Sequence, residues 1–233
     1  RGSLRSRLAP RLALLGLLSF EDYYRYLRFA PERSEEQQRM VSHLTNNETY
    51  FFREQPQLDV FSTHVLRAIK ERRARSGEKR LHALSAGCST GEEPLTLGMI
   101  LFDSGQFFWG WDVRVAGLDV DGAALEKARR GVYHQNSLRA VTPPLLERHF
   151  VKEGNGVRVK EASRKAVSFR AGNLLDPAYA SFVGLHPLPV RHGLTIGELA
   201  LLFREERALQ VQVDVVRMRG WKRSMAFEDT GLP

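Results

Sequence analysis

Leu81-His82-Ala83-Leu84-Ser85-Ala86-Gly87-Cys88-Ser89-Thr90-Gly91-Glu92-Glu93 is the stretch whose reading decides the fold. Leu81 to Ala86 is a short apolar run of strand length, Gly87 to Gly91 is a Gly/Ser/Thr turn, and Glu92 to Phe102 has the texture of a helix. The same alternation continues downstream. Val113 to Val120 reads as a second strand, Gly122 to Arg130 as a second helix, and Ala166 to Phe169 with the residues after it as a third strand. Strand-helix-strand order implies an α/β fold with a parallel, doubly wound sheet.

Upstream of that sheet the texture is helical. Residues 1–45 show Leu12, Leu15 and Leu18, then Tyr23, Tyr24 and Leu27, at helical spacing, and no strand pattern. Ser34-Glu35-Glu36-Gln37 has the form of a capping box opening another helix. Arg5 and Arg7 before Leu12 to Leu18 imitate a secretory signal, but Glu21 and Asp22 stand where a small-residue cleavage site belongs, which favours an amphipathic helix. Asn46-Asn47 predicts a loop. Val60 to Arg75 predicts a helix with Phe61, Val65, Leu66 and Ile69 on one side, a basic end and Gly77 as its stop. After Asp176 comes a breaker-rich stretch with Pro187, Pro189 and Gly193, then a helix over Thr195 to Glu206 and a weak strand over Val211 to Met218.

The composition is that of a soluble globular chain of 233 residues, 42% hydrophobic and 27% charged. One cysteine, Cys88, excludes an internal disulfide framework and a Cys-based zinc site. No metal is expected. No apolar run reaches the length that spans a bilayer, so no membrane insertion is expected. Lys and Arg number 35 against 27 Asp and Glu, a formal net charge of +8. That excess points to an acidic partner without naming it.

The glycine turn carries the chemistry. It is neither G-x-G-x-x-G nor a Walker loop. Glu92 and Glu93 open the following helix, where a phosphate would need positive potential, so they repel a pyrophosphate. They suit a ligand with hydroxyls or positive charge, and S-adenosylmethionine has both. Gly87-Cys88-Ser89-Thr90-Gly91 also matches G-x-S-x-G, the hydrolase nucleophile elbow with Ser89 as nucleophile and His134, His149, His186 or His192 as partner. A single strand before the turn and the lack of a His-Gly-Gly segment speak against it. Asp119, at the tip of the second strand, can accept from ribose hydroxyls, while Asp121 suits the cap of the next helix. Asn173, after the third strand, can read an adenine edge with its amide. Phe107, Phe108, Trp109 and Trp111 are expected to pack rather than to stack on a ligand.

Together these residues resemble the CheR-type glutamate methyltransferases of chemotaxis receptors, over residues 11–177. The segment Thr45-Asn46-Asn47-Glu48-Thr49-Tyr50-Phe51-Phe52-Arg53 is similar to the family's link between helical and catalytic domains. The turn Ser85 to Pro94, Gly131-Val132-Tyr133 and Asn173-Leu174-Leu175-Asp176 also match. The resemblance implies an N-terminal helical subdomain (1–45) and a truncated, Rossmann-like S-adenosylmethionine-binding domain (46–177). It places Asn47, Thr49, Arg53, Gly87, Glu92, Asp119, Asn173 and Leu174 on the cofactor or its product S-adenosylhomocysteine. Arg53 is the candidate catalytic residue, orienting an acidic group. The implied partner is an acidic helical region of a chemotaxis receptor rather than nucleic acid, and the implied location is cytoplasmic.

Residues 178–233 depart from that plan. Pro189 to Leu199, Met218 to Met225 and Asp229 to Pro233 resemble an internal slice of the bacterial exo-β-N-acetylmuramidases. Glu198 reads as a helix-surface residue, and no glycosidase activity is carried over. The chain is thus expected to be a fusion, with Val211 to Met218 supplying a makeshift strand beside the shortened sheet. Three functions follow: a receptor-glutamate methyltransferase impaired by loss of its second half, a vestigial fusion that binds cofactor or receptor without turnover, and a serine hydrolase using Ser89.

Overall fold

The computed structural model describes residues 4–45, 47–77, 79–107, 109–173 and 212–215, the last four by their backbone alone. The expected helix over Thr195 to Glu206 and the site candidates Leu174, Glu198, His186 and His192 lie outside the described residues.

Three helices come first: α1 (Leu4–Leu14), α2 (Phe20–Phe29) and α3 (Arg33–Leu44). Leu8, Leu12 and Tyr23 are buried between them, with Leu15, Leu17, Phe20, Leu27, Met40 and Leu44 around the rim. Leu18 does not join this face. The chain leaves the helix after Leu14, with Gly16 at φ +66, and Leu18 is 97% exposed. Ser19 caps α2 by accepting from the Asp22 amide at 3.1 Å. The capping box expected at Ser34 does not form. The Glu36 amide already bonds to the Glu32 carbonyl, so the helix is running before Ser34 is reached, and the Gln37 side chain donates to the Leu27 carbonyl instead. Arg11 donates through Nε to Glu36 Oε1 at 2.9 Å, Tyr23 adds its hydroxyl at 2.9 Å, and all three groups are buried.

The helix expected from Val60 starts earlier and is interrupted. It comprises α4 (Gln55–Val60), a π-helical turn (Phe61–Val65) and α5 (Leu66–Ser76), with Gly77 at φ +72 ending it. The central sheet follows: β1 (Arg80–Ala86), α6 (Glu92–Ser104), β2 (Asp112–Asp119), α7 (Gly122–Arg130), and later β6 (Val167–Ala171) and β7 (Gln212–Val215). Its order is β6-β2-β1-β7 and every pairing is parallel, with Leu81 opposite Val113, Val115 opposite Val167, and His82 opposite Gln212. The strand expected within Val211 to Met218 therefore stands on the free side of β1.

Between α7 and β6 lies a small antiparallel sheet that the sequence reading did not foresee. It joins β3 (Val132–Tyr133), β4 (Phe150–Glu153) and β5 (Gly156–Val159) in the order β3-β5-β4, with α8 (Pro143–His149) before it and α9 (Glu161–Arg164) after it. Its strands are too short for period-2 alternation to register. Gly154-Asn155 was the readable sign, a two-residue hairpin turn with Gly154 at φ +57. Phe51 joins this sheet to the core, edge-on to Tyr133 at 4.8 Å and to Phe150 at 5.0 Å. Of the aromatic loop before β2, Phe107 is buried edge-on to Trp111 as expected, whereas Trp109 is 91% exposed. Its neighbour Gly110 lets the loop turn back at φ +72, which leaves Trp109 at the tip.

Candidate cofactor site

Parallel sheets present their ligand-binding ends where the strands finish. β1 finishes at the glycine turn, β2 at Asp119 and β6 at Gly172-Asn173. The amides of Gly87 and Cys88 both donate to the Leu118 carbonyl, at 2.8 and 3.0 Å, which pins the turn against β2. Gly87 sits at φ +74 with open space where a Cβ would point, so a ligand can approach the backbone there. Gly91 is required for a different reason: at φ +91, a Cβ would lie 2.7 Å from that of Ala128 and 2.9 Å from Phe169. The Gly172 amide donates to the Asp119 carbonyl at 3.0 Å, which sets Asn173 beside the tip of β2.

Asp119 is 8% exposed. Its Oδ2 accepts from the Ser89 amide at 2.6 Å and its Oδ1 from the Asp121 amide at 2.9 Å. Each oxygen retains acceptor capacity for a further donor, as a vicinal diol requires. Asp121 caps α7, accepting from the Ala123 and Ala124 amides at 3.0 and 3.2 Å.

The segment after α3 closes over this turn. Asn47 donates through Nδ2 to Asp121 Oδ2 at 2.7 Å, and its Oδ1 accepts from Ser89 Oγ at 3.0 Å. Thr49 is half-buried two residues on. Arg53 leans over the Tyr50 ring at 5.7 Å and donates to the Glu48 carbonyl, while Arg139 covers that ring at 3.7 Å and reaches Glu48 Oε1 at 3.1 Å. Phe52, Glu54 and Ser89 are the non-glycine residues at positive φ among the described residues, and all three lie in these two segments. Strain of this kind persists where the surroundings over-determine the backbone.

The two glutamates of the turn differ in a way their adjacency concealed. The Glu92 carboxyl turns inward, 2% exposed, and accepts from Thr90 Oγ1 at 2.6 Å and Ser137 Oγ at 2.8 Å. Burial raises its pKa above the ordinary carboxylate value, against those two hydrogen bonds. Glu93 is the half-buried member and accepts from Ser85 Oγ. The structure thus brings Asn47, Arg53, Gly87, Glu92, Asp119 and Asn173 to one end of the sheet, with the Glu92 carboxyl buried against Thr90 and Ser137. Tyr50, Ser89, Asp121, Tyr133, Ser137 and Arg139 also build the site. Tyr133, which donates to the Thr90 carbonyl at 2.7 Å, lies like Tyr50, Ser89 and Asp121 in a stretch the sequence marks; Ser137 and Arg139 carry no local signal.

Ser89 has no imidazole partner among the described residues: its hydroxyl meets Asn47 alone and it is 1% exposed. With the described histidines His134 and His149 the nucleophile elbow is therefore not assembled, and His186 and His192 lie outside the described residues. A Ser163-His149-Asp103 chain does exist, at 2.9 and 3.0 Å, but His149 is fully buried and joins α6, α8 and α9 as a clamp. Among the described residues no group of His, Cys, Asp and Glu could hold a metal ion.

Comparison with known proteins agrees with this geometry. Residues 47–185 match the model described as CheR methyltransferase, SAM binding domain, and residues 1–45 match the CheR methyltransferase all-alpha domain. Residues 165–233 match the N-terminal model of the exo-beta-N-acetylmuramidase NamZ. A chemotaxis protein methyltransferase of Escherichia coli is 37% identical over 185 residues, covering 77% of this chain and 60% of that protein. A probable biofilm formation methyltransferase, WspC, of Pseudomonas putida is 35% identical over 179 residues, covering 77% of this chain and 40% of that protein. The peptidoglycan beta-N-acetylmuramidase NamZ of Bacillus subtilis is 56% identical over 62 residues, 27% of this chain and 15% of that protein. The chain thus spans 40% to 60% of these two methyltransferase relatives. A carboxylate poised for a diol, an open glycine turn and an acidic helix start fit S-adenosyl-L-methionine, the cofactor of the matched domain.

Proposed function

Because the chain belongs to the CheR methyltransferase family, we propose that it is an S-adenosylmethionine-dependent O-methyltransferase acting on glutamate side chains of chemotaxis receptors. The observation that carries this reading is the Asp119 carboxylate, held by two amides at the end of β2 beside a glycine turn whose helix begins with carboxylates. That arrangement receives a ribose and repels a pyrophosphate.

In this reading the cofactor supplies an electrophilic methyl on its sulfonium. A substrate carboxylate oxygen forms the new O–C bond as the S–C bond breaks and its electron pair returns to sulfur. No proton moves, and a glutamate is already ionised at neutral pH, so the protein has chiefly to position and desolvate. Asp119 receives the ribose hydroxyls. Gly87 lets the cofactor approach the backbone, and Asn173 with Leu174 lies near the adenine. Asn47, Thr49 and Arg53 line the side closed by the segment after α3. Arg53 orients a carboxylate, that of the cofactor or of the substrate. Glu92, which the family resemblance sets by the cofactor, braces the turn through Thr90 and Ser137.

The three parts 1–45, 46–177 and 178–233 are a helical domain, a shortened cofactor domain and a segment of other ancestry. The net charge of +8 suits an acidic helical region of a receptor better than nucleic acid. A cytoplasmic enzyme fits that partner, and no described helix is long and apolar enough to cross a membrane. A second reading, cofactor or receptor binding without turnover, is favoured by the muramidase-like segment that follows the cofactor domain.

Calorimetry with S-adenosylhomocysteine tests the site: micromolar binding lost in Asp119→Ala supports both readings, and its absence sinks the first together with the cofactor-binding form of the second. Tritiated methyl transfer to receptor glutamates then separates enzyme from binder.

A further inference from the structure

We propose that Asp121 is a positioning residue for the cofactor site, acting through Asn47 and Ser89 on Asp119, so that the helical segment completes that site. The inference rests on the methyltransferase reading and deepens it.

A helix N-cap needs one acceptor for one or two amides. Asp121 does more than that. Its Oδ1 accepts from Ser42 Oγ at 2.6 Å besides the two α7 amides, and its Oδ2 accepts from Asn47 Nδ2 at 2.7 Å and Thr45 Oγ1 at 3.2 Å. Three side chains from the end of α3 and the segment after it therefore converge on one carboxylate that is 1% exposed. Burial opposes its charge, and the hydrogen bonds from Ser42, Asn47, the Ala124 amide and Thr45 outweigh that opposition.

The consequence lies one bond further on. With Nδ2 committed to Asp121 and to Thr45 Oγ1 at 3.2 Å, the Asn47 amide plane is fixed and its Oδ1 must face the turn. There it takes the Ser89 hydroxyl at 3.0 Å. Ser89 is a non-glycine residue at φ +52, a conformation its neighbours must hold. The amide it thereby presents is the one that grips Asp119 Oδ2, while the amide of Asp121 itself grips Oδ1. Asp121 thus holds the ribose carboxylate from both sides, directly through its backbone and indirectly through Asn47 and Ser89.

Two variants test this in the full chain. Asp121→Asn keeps an acceptor for the α7 amides but sets an amide NH2 against that of Asn47. Ser42→Ala with Thr45→Val leaves the cap intact and loosens the latch alone. Either is expected to weaken S-adenosylhomocysteine binding about tenfold, and to raise KM for the cofactor more than it lowers kcat. Because the effect travels through Asn47, Asp121→Asn with Asn47→Ala should bind no more weakly than the worse single variant. Unchanged affinity with a lowered melting temperature overturns the proposal, as does strict additivity with Asn47→Ala. A wild-type chain that binds no S-adenosylhomocysteine sinks the methyltransferase reading, and this one with it.

Discussion

Glu92 and Asp121 stand on the same end of the sheet and respond to acid in opposite directions. Burial raises the Glu92 pKa, so the folded chain holds that proton more tightly than the unfolded chain does. Its ionisation therefore costs stability progressively as pH rises above about 4.5. Asp121 and Glu36 lie below their ordinary values. Their contribution is present above about pH 4 and is lost as pH falls through the folded values. Denaturant unfolding across pH 3 to 8 should show both limbs. Glu92→Gln should flatten the upper limb while leaving the acid limb in place; an unaltered upper limb would assign it elsewhere. Arg11 presents a different case at the same scale. Its guanidinium is raised by its hydrogen bond to Glu36, and both are buried. Arg11→Met strands the Glu36 charge and should lower stability by about 3 kcal/mol, read from the unfolding midpoint.

At the scale of elements, the sheet and its helices meet through glycine. A Cβ on Gly117 in β2 would lie 2.8 Å from Phe169 in β6 and 3.0 Å from the Cys88 sulfur in the turn. Gly117→Ala should therefore cost about 1–3 kcal/mol and disturb the turn as well. A variant that melts like the wild type would show the contact to be soft. The elements best legible from sequence were those with a local cause. The strand-turn-helix at 81–93 announced itself by an apolar run and glycines, and Asp121 by its place before α7. The small antiparallel sheet was not legible, because strands as short as Val132–Tyr133 carry no period. The π-turn at Phe61–Val65 is likewise a departure inside a helix whose periodicity looks continuous. In the site, Asp119 and Asn173 could be found from strand ends. The inward turn of Glu92 and the convergence of Ser42, Thr45 and Asn47 on Asp121 depend on chain closure over many residues, which no local pattern records.

For the whole molecule, the decisive contact is that of β7 with β1. Ala83 and Leu84 stand opposite Val213 and Asp214, so the last described strand flanks the first strand of the sheet. If β7 belongs to the cooperative unit, the amides of Ala83 to Ser85 should exchange slowly. Val213→Pro, which removes an amide and fixes φ, should speed their exchange and lower the melting temperature. Identical exchange in both proteins would show β7 to be dispensable.

The pairing of His82 with Gln212 also constrains how the protein is born. Synthesis runs from the N-terminus at about 5–20 residues per second, so β1 leaves the ribosome on the order of ten seconds before the strand that covers it. Throughout that interval β1 offers an open ladder to any neighbouring nascent chain. Soluble yield should accordingly be governed less by the stability of the finished fold than by what shields this edge in the meantime. Co-expression of a holdase chaperone should raise it, whereas a ligand for the completed site should not.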